Sequence, residues 1–251
     1  MHGDPGCRLL LTKPLQLGLP DLLAELRIRL IRHDRPGFGR SDRQPGRHVA
    51  DTAADVNAIA DALGIERFAV VGGSGGTSHA LATAVLLAGQ VTRLAVTAPS
   101  APYALIGREA FTAGMNPRVR EYIEAIRSGV AAMTTDFGRE DAELRAGADR
   151  NDPNQAWIFE ETQQGIEGWM DDEIANTSPW GFDVGSITCP TSIWYDPDDT
   201  ALPPQHAAWL AAHIPGAELI VTHALGHGSL DDPRDDWRGL YAWLAGDIPA
   251  R

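Results

Sequence analysis

Cysteine is scarce in this chain: Cys7 and Cys189 are the only two, far apart and in no metal-type spacing. That excludes a disulfide framework and a zinc knuckle, and a reducing, cytoplasmic setting is expected. Positive charge is the minority sign, with 21 Lys and Arg against 34 Asp and Glu and a net charge of −13. Such a surface repels a phosphate backbone, so nucleic acid is not expected as a partner. No apolar run approaches the roughly 18 residues of a transmembrane helix. The first residues lack the basic, apolar and small-residue regions of a signal peptide, so neither a membrane nor export is expected. Internal repeats and low-complexity tracts are also missing. What remains is 251 residues, 43% hydrophobic and 22% charged, enough for one large domain or one domain carrying an insertion.

Strand and helix patterns alternate along the chain. Residues 26–33 alternate apolar and basic positions at period two and break at Arg35-Pro36-Gly37-Phe38-Gly39, which predicts a strand and a long turn. Val49, Ala53, Val56, Ala60 and Leu63 recur at helical steps before Gly64, a C-terminal stop. Residues 67–72 form a short apolar strand, 80–88 an almost wholly apolar helix and 91–98 another strand. From about 103 to 180 the β-rich runs disappear into helix-like stretches carrying Trp157, Trp169 and Trp180. Strands resume at 190–195 and 217–222, with helices near 205–213 and 237–244. This order predicts an α/β fold: a mostly parallel central sheet with helices on both faces, interrupted by a helical insertion.

Gly72-Gly73-Ser74-Gly75-Gly76 joins the strand at 67–72 to the next helix and satisfies Gly-x-Ser-x-Gly in a strand–turn–helix setting. In so tight a turn, side chains at 72 and 76 would collide with neighbouring chain, while Ser74 projects its hydroxyl as a nucleophile. The amide of Gly75, at a helix N-terminus, is then an oxyanion donor. A dinucleotide fingerprint would need glycine where Ser78 stands, and there is no Asp or Glu between Ser74 and Arg108 to hold a ribose. A purely structural turn is the plainer alternative. Serine needs a histidine base oriented by a carboxylate. His227, between two glycines after the strand at 217–222, is the best base. Asp199, following the strand that ends at Tyr195, is the first choice of acid, ahead of Asp198 and Asp196.

With His2-Gly3-Asp4-Pro5-Gly6, Asp34-Arg-Pro-Gly-Phe-Gly-Arg-Ser41, the elbow at 72–76, Asp199-Thr-Ala-Leu-Pro203 and Gly226-His227-Gly228 in this order, the chain resembles the α/β-hydrolase superfamily over nearly its whole length. The resemblance implies a core of residues 1–102 and 183–251, a helical cap at 103–182, and the amide of Asp4 as second oxyanion donor. It implies a serine hydrolase acting on a carboxylic ester or related acyl compound, without cofactor or metal. A proline iminopeptidase-like aminopeptidase and a non-catalytic small-molecule-binding relative are the alternatives. Two departures stand out. In relatives the His-Gly motif follows several strands, the last of them lying between the strands at 26–33 and 67–72. Here it opens the chain, so a late start or a sheet edge filled by another chain is expected, with homodimerisation one form of the latter. Asp4 also places a carboxylate beside the oxyanion position, and it is expected to point away.

The remaining polar residues read mostly as structure. His79 is expected to be a hydrogen-bonded core histidine; His206 and His213 are expected at the surface; His223 lacks a metal-type partner. Glu160, Glu161, Glu167, Asp171, Asp172 and Glu173 read as a solvated face which, if turned inward, would hold a substrate's ammonium group. Trp157, Trp169 and Trp180 either wall an apolar acyl site or bury the cap's own core. Cys7 reads as packing.

Overall fold

A computed structural model describes residues 1–9, 18–128, 139, 141–152, 155–227 and 232–246. Four strands form one parallel sheet: β1 (Phe68–Gly73), β2 (Val91–Thr97), β3 (Thr191–Tyr195) and β4 (Glu218–Val221), side by side in chain order. Parallel neighbours need crossovers, and helices supply them. Helix α1 (Leu19–Glu25) and α2 (Thr52–Ala62) precede the sheet; α3 (Gly76–Leu86) links β1 to β2. Helices α4 (Tyr103–Thr112), α5 (Pro117–Ser128), α6 (Ala156–Glu160) and α7 (Glu167–Thr177) lie between β2 and β3. Helix α8 (Gln205–His213) links β3 to β4, and α9 (Arg234–Ala245) follows. Among the described residues, no helix is long and apolar enough to cross a membrane.

The period-two alternation of the strands sends side chains to two cores. Leu94, Val96 and Ile193 pack with Ala80, Leu81, Ala84, Ala207 and Leu210, which puts α3 and α8 on one face. Ala95 and Trp194 point the other way, onto Leu240 and Trp243 of α9. A third cluster, Phe111, Met115, Ile123, Ile126 and Met170, belongs to the helices between β2 and β3. Helix α3 is buried nearly all round, as its unbroken apolar sequence requires.

The segment predicted as a strand at 26–33 is not one. Leu26 and Arg27 form a turn, Arg27 in the left-handed region at φ 54°, and 28–33 form neither helix nor strand and have no ladder partner among the described residues. Together with β1 the segment lines a cavity of about 670 Å³. A strand pattern needs a ladder partner to become a strand.

Candidate active site

The elbow forms as the glycines require. Ser74 sits at φ 52°, a left-handed conformation that strains a non-glycine residue. A Cβ at Gly72 would stand 2.3 Å from the Gly76 carbonyl oxygen, and one at Gly76 would stand 2.4 Å from that of His2. These backbone atoms cannot retreat, so both positions exclude side chains. The Ser74 amide donates to the carbonyls of Thr97 and Ala98 at 3.1 and 3.2 Å, tying the turn to the end of β2.

The structure brings Ser74, His227 and Asp199 together. Ser74 Oγ lies 2.9 Å from His227 Nε2, and His227 Nδ1 lies 2.9 Å from Asp199 Oδ2. Asp199 is almost fully buried, yet its carboxylate is well served. The amides of Ala201 and Leu202 donate to Oδ1 at 2.8 and 3.1 Å, and the His227 amide donates to Oδ2 at 3.0 Å. Burial alone would raise its pKa, but the His227 interactions and these amides outweigh it and hold the group below its ordinary value. Asp199 is therefore ionised and fixed against the imidazole. Asp196 instead accepts from the Asp198 amide at 2.9 Å. Asp196, Asp198 and His223 offer ligand atoms within 4.8 Å of one another, but the latter two are exposed and no further ligand among the described residues joins them.

The loop His2-Gly3-Asp4 lies beside the nucleophile: a Cβ at Gly3 would be 3.2 Å from Ser74 Cβ and 3.8 Å from its Oγ. Gly75 opens the first turn of α3, where amides lack intrahelical partners. Contrary to expectation, the Asp4 carboxylate does not point away. It packs against Gly75, lines the cavity that holds Ser74, accepts from Asn176 Nδ2 at 3.0 Å and pairs with Arg35. Burial raises its pKa well above the ordinary value, against the opposing pull of Arg35. Both of its side-chain partners are donors, the Arg35 guanidinium and the Asn176 amide.

Behind this loop lies a buried polar network that the sequence did not reveal. Arg35, fully buried, donates through Nη1 to the His2 carbonyl at 2.5 Å and reaches Asp172 of α7 at 2.8 Å. Asp172 also meets His79 Nε2 at 3.1 Å, and His79 Nδ1 meets Thr52 Oγ1 at 2.7 Å. Burial works against the Asp172 charge, but Arg35 and His79 carry its pKa well below the ordinary range. Burial lowers His79 to about 4, so it is a neutral core histidine, as its sequence setting predicted. The backbone of Gly37 packs directly on Gly168 of α7, where an added Cβ would be 2.5 Å from Gly168 Cα.

The acidic run of the insertion is thus not one solvated face. Asp172, Glu173 and Glu161 are buried, while Glu160 pairs with Arg8 and Arg40, and Asp171 pairs with Arg43. Helix α7 is packed around much of its circumference, and periodicity gives no sign of which acids turn inward. His206 corrects another expectation: it is buried, accepts from the Ala101 amide at 3.1 Å and packs edge-on against Phe111. His213 is exposed and stacks on Trp209. Cys7 is buried, and burial pushes its thiol up to about 11, consistent with packing.

A cavity of about 210 Å³ opens over Ser74 and His227. Phe111, Met115, Val119, Ile123 and Leu202 give it an apolar side; Asp4, Tyr122, Glu173 and Asn176 give it a polar end. Among the described residues its lining contains no Lys or Arg. Of the three tryptophans singled out from sequence, Trp180 lines it. Trp169 stands behind Tyr122, stacked on that ring and donating to its hydroxyl at 2.8 Å, and Trp157 is not part of the wall. Tyr122 donates to Glu173, whose pKa burial raises to about 7.

The model of the alpha/beta hydrolase fold family matches residues 1–233. The chain belongs to this family. The α/β hydrolase is also 26% identical over 214 residues to a 2-hydroxy-6-oxononadienedioate/2-hydroxy-6-oxononatrienedioate hydrolase from Comamonas testosteroni, covering 79% of this chain and 70% of that protein. Solved structures share its fold. An esterase from Exiguobacterium antarcticum matches with TM-score 0.67 and 21% identity, over 98% of this chain and 90% of the other. An enol-lactonase from Burkholderia xenovorans matches with TM-score 0.61 and 19% identity, over 98% and 89%.

Proposed function

We propose that this α/β hydrolase is a serine hydrolase that cleaves a carboxylic ester through an acyl-enzyme. The observation that carries the reading is the continuous relay from Ser74 Oγ through His227 to the buried Asp199, with 2.9 Å at each step. His227 takes the hydroxyl proton as Ser74 Oγ bonds to the ester carbonyl carbon, and the amides of Gly75 and Asp4 receive the oxyanion. The carbon–oxygen bond to the alcohol breaks, and the alcohol leaves with the proton held on His227. Water then adds to the acyl carbon, gives its proton to His227, and the acid departs as Ser74 regains a proton. Asp199 holds the imidazole tautomer and balances its transient charge. Phe111, Met115 and Ile123 suit an apolar acyl group. The helices between β2 and β3 act as the cap that bears this wall.

One observation favours a second reading, the aminopeptidase. Glu173 faces the cavity, and among the described residues no Lys or Arg side chain does, an arrangement that suits a substrate ammonium. Hydrolysis of a short p-nitrophenyl ester is to be compared with that of an N-terminal prolyl arylamide. The esterase reading expects kcat/KM for the ester to be higher by at least about 100-fold, roughly 2.7 kcal/mol. A preference for the amide overturns it.

A further inference from the structure

The relay of Ser74, His227 and Asp199 makes no use of one buried acid on the wall of its cavity, Glu173. Glu173 follows Trp169 by one helical turn on α7, so the two side chains share a face of that helix, and Tyr122 of α5 packs against both. Glu173 Oε1 accepts twice, from the Tyr122 hydroxyl and from Trp169 Nε1 at 3.3 Å, while Trp169 Nε1 also donates to the Tyr122 hydroxyl at 2.8 Å. These bonds fix the carboxyl through one oxygen. The other, Oε2, makes no hydrogen bond among the described residues.

The neighbouring polar side chains of the cavity are already committed. Asp4 meets Arg35 through Oδ1 and Asn176 through Oδ2. Asn176 donates through Nδ2 to Asp4 and to the Gly75 carbonyl, and accepts at Oδ1 from Ser78. Thr177 donates to the Glu173 carbonyl at 2.9 Å. Glu173 Oε2 is thus the carboxyl oxygen at this end with its bonding capacity free, across from an apolar wall that includes Phe111, Met115 and Ile123. A few polar atoms set in apolar walls are what fix a ligand's orientation, and a buried polar atom without a partner costs free energy that a matching ligand group recovers.

One free acceptor atom discriminates between donors. An ammonium brings three N–H groups, of which a single acceptor leaves two unpaired in a buried site, whereas a hydroxyl brings one O–H. Burial raises the Glu173 pKa to about 7, so near neutral pH the carboxyl is present in both forms. A hydroxyl donates to the ionised form and accepts from the neutral one; an ammonium pairs only with the first. Resting on the reading of Ser74 as an ester-cleaving nucleophile, we propose that Glu173 is a specificity-determining residue that selects hydroxylated esters, its Oε2 hydrogen-bonding a free OH carried on the acyl or the alcohol part of the substrate.

The test sets each hydroxylated ester against the ester with a methyl group in place of the hydroxyl, followed by pH-stat with the full chain at neutral pH. On the acyl side, ethyl 3-hydroxybutyrate is compared with ethyl 3-methylbutyrate, and ethyl 6-hydroxyhexanoate with ethyl heptanoate. On the alcohol side, 2-hydroxyethyl butyrate is compared with propyl butyrate. In at least one pair kcat/KM is expected to favour the hydroxylated ester by about tenfold or more, and the side on which it does so locates the hydroxyl. Glu173→Leu is expected to reduce that ratio by at least about fivefold; a ratio taken within one preparation does not depend on how much of it is folded. Because Glu173→Leu risks not folding at all, the O-methyl ether of the preferred ester gives a second reading on the wild type, and it is expected to lose the preference. Ratios below tenfold in every pair overturn the proposal and leave the ester reading standing, as does a preference that survives Glu173→Leu or is kept by the ether. A chain that hydrolyses none of these esters, or that turns over an N-terminal prolyl arylamide faster than all of them, overturns both.

Discussion

The guanidinium of Arg35 and the carboxylate of Asp172 face each other at 2.8 Å, and neither side chain is exposed to solvent. Arg35 belongs to the loop after the extended run 28–33, and Asp172 to α7 of the insertion. Through Asp4 and the His2 carbonyl, the same guanidinium also grips the loop beside Ser74. One buried ion pair thus holds the insertion, the His2-Gly3-Asp4 loop and, through His79, the elbow helix in a common frame.

Breaking this pair from one side leaves a buried cation with less compensation, which costs far more than the pair itself contributes. Asp172→Asn is expected to lower unfolding stability by about 3 kcal/mol in urea titration at pH 7. A loss below 1 kcal/mol would remove the pair from its central place. The pH dependence follows from the sign of the shift. The folded carboxyl titrates below its unfolded value, so its contribution is present above the unfolded pKa and lost as pH falls. Acid should therefore destabilise the wild type more steeply than the variant.

Gly72 faces a backbone carbonyl at 2.3 Å from any added Cβ, and Ala80 Cβ at 2.6 Å. Gly72→Ala must shift the elbow itself. A stability loss of about 2–4 kcal/mol is expected in thermal unfolding, with ester turnover lost in whatever remains folded. An alanine accommodated with normal turnover would show that the turn is looser than its glycines indicate.

Glu173 gives a pH-dependent prediction of the opposite sign to Asp172. Its folded pKa, about 7, lies above the unfolded value, so ionising it in the folded state costs stability as pH rises from the unfolded pKa to about 7. Glu173→Gln removes that cost and retains an oxygen for the Tyr122 hydroxyl. The gain in Tm of this variant over wild type should be larger at pH 8 than at pH 5. An equal effect at both pH values would mean that the carboxyl titrates normally.

Asp199→Asn keeps the size of the buried side chain but removes the charge that orients His227. By analogy with serine hydrolases, kcat is expected to fall by about 10³–10⁴ with KM changed by less than about threefold, measured on a p-nitrophenyl ester. A fall below tenfold would assign the acid role elsewhere, with Asp198 the next candidate by sequence.

The local signals read well from sequence because each has a short-range cause. Glycines at 72 and 76 are demanded by atoms within a few residues or by the facing loop, and the parallel strands deliver Ser74, Asp199 and His227, which follow β1, β3 and β4, to the C-terminal end of the sheet. What escaped notice depends on long-range packing. Nothing in the spacing of Asp171, Asp172 and Glu173 tells which of three neighbouring acids meets Arg35, Tyr122 or solvent. Asp4 was expected to turn outward because a charge beside an oxyanion is unfavourable, whereas it turns inward onto Arg35 and Asn176, partners far off in the chain. The alternating run at 26–33 carried a strand pattern, but a ladder needs a partner, and among the described residues it has none.

The central claim is that Ser74 is an activated nucleophile. Intact-mass spectrometry after exposure to a fluorophosphonate, with Ser74→Ala alongside, tests it most directly. The account predicts one covalent adduct on the wild type and none on the variant. A folded wild type that takes no adduct, or a variant that takes the same one, would contradict it.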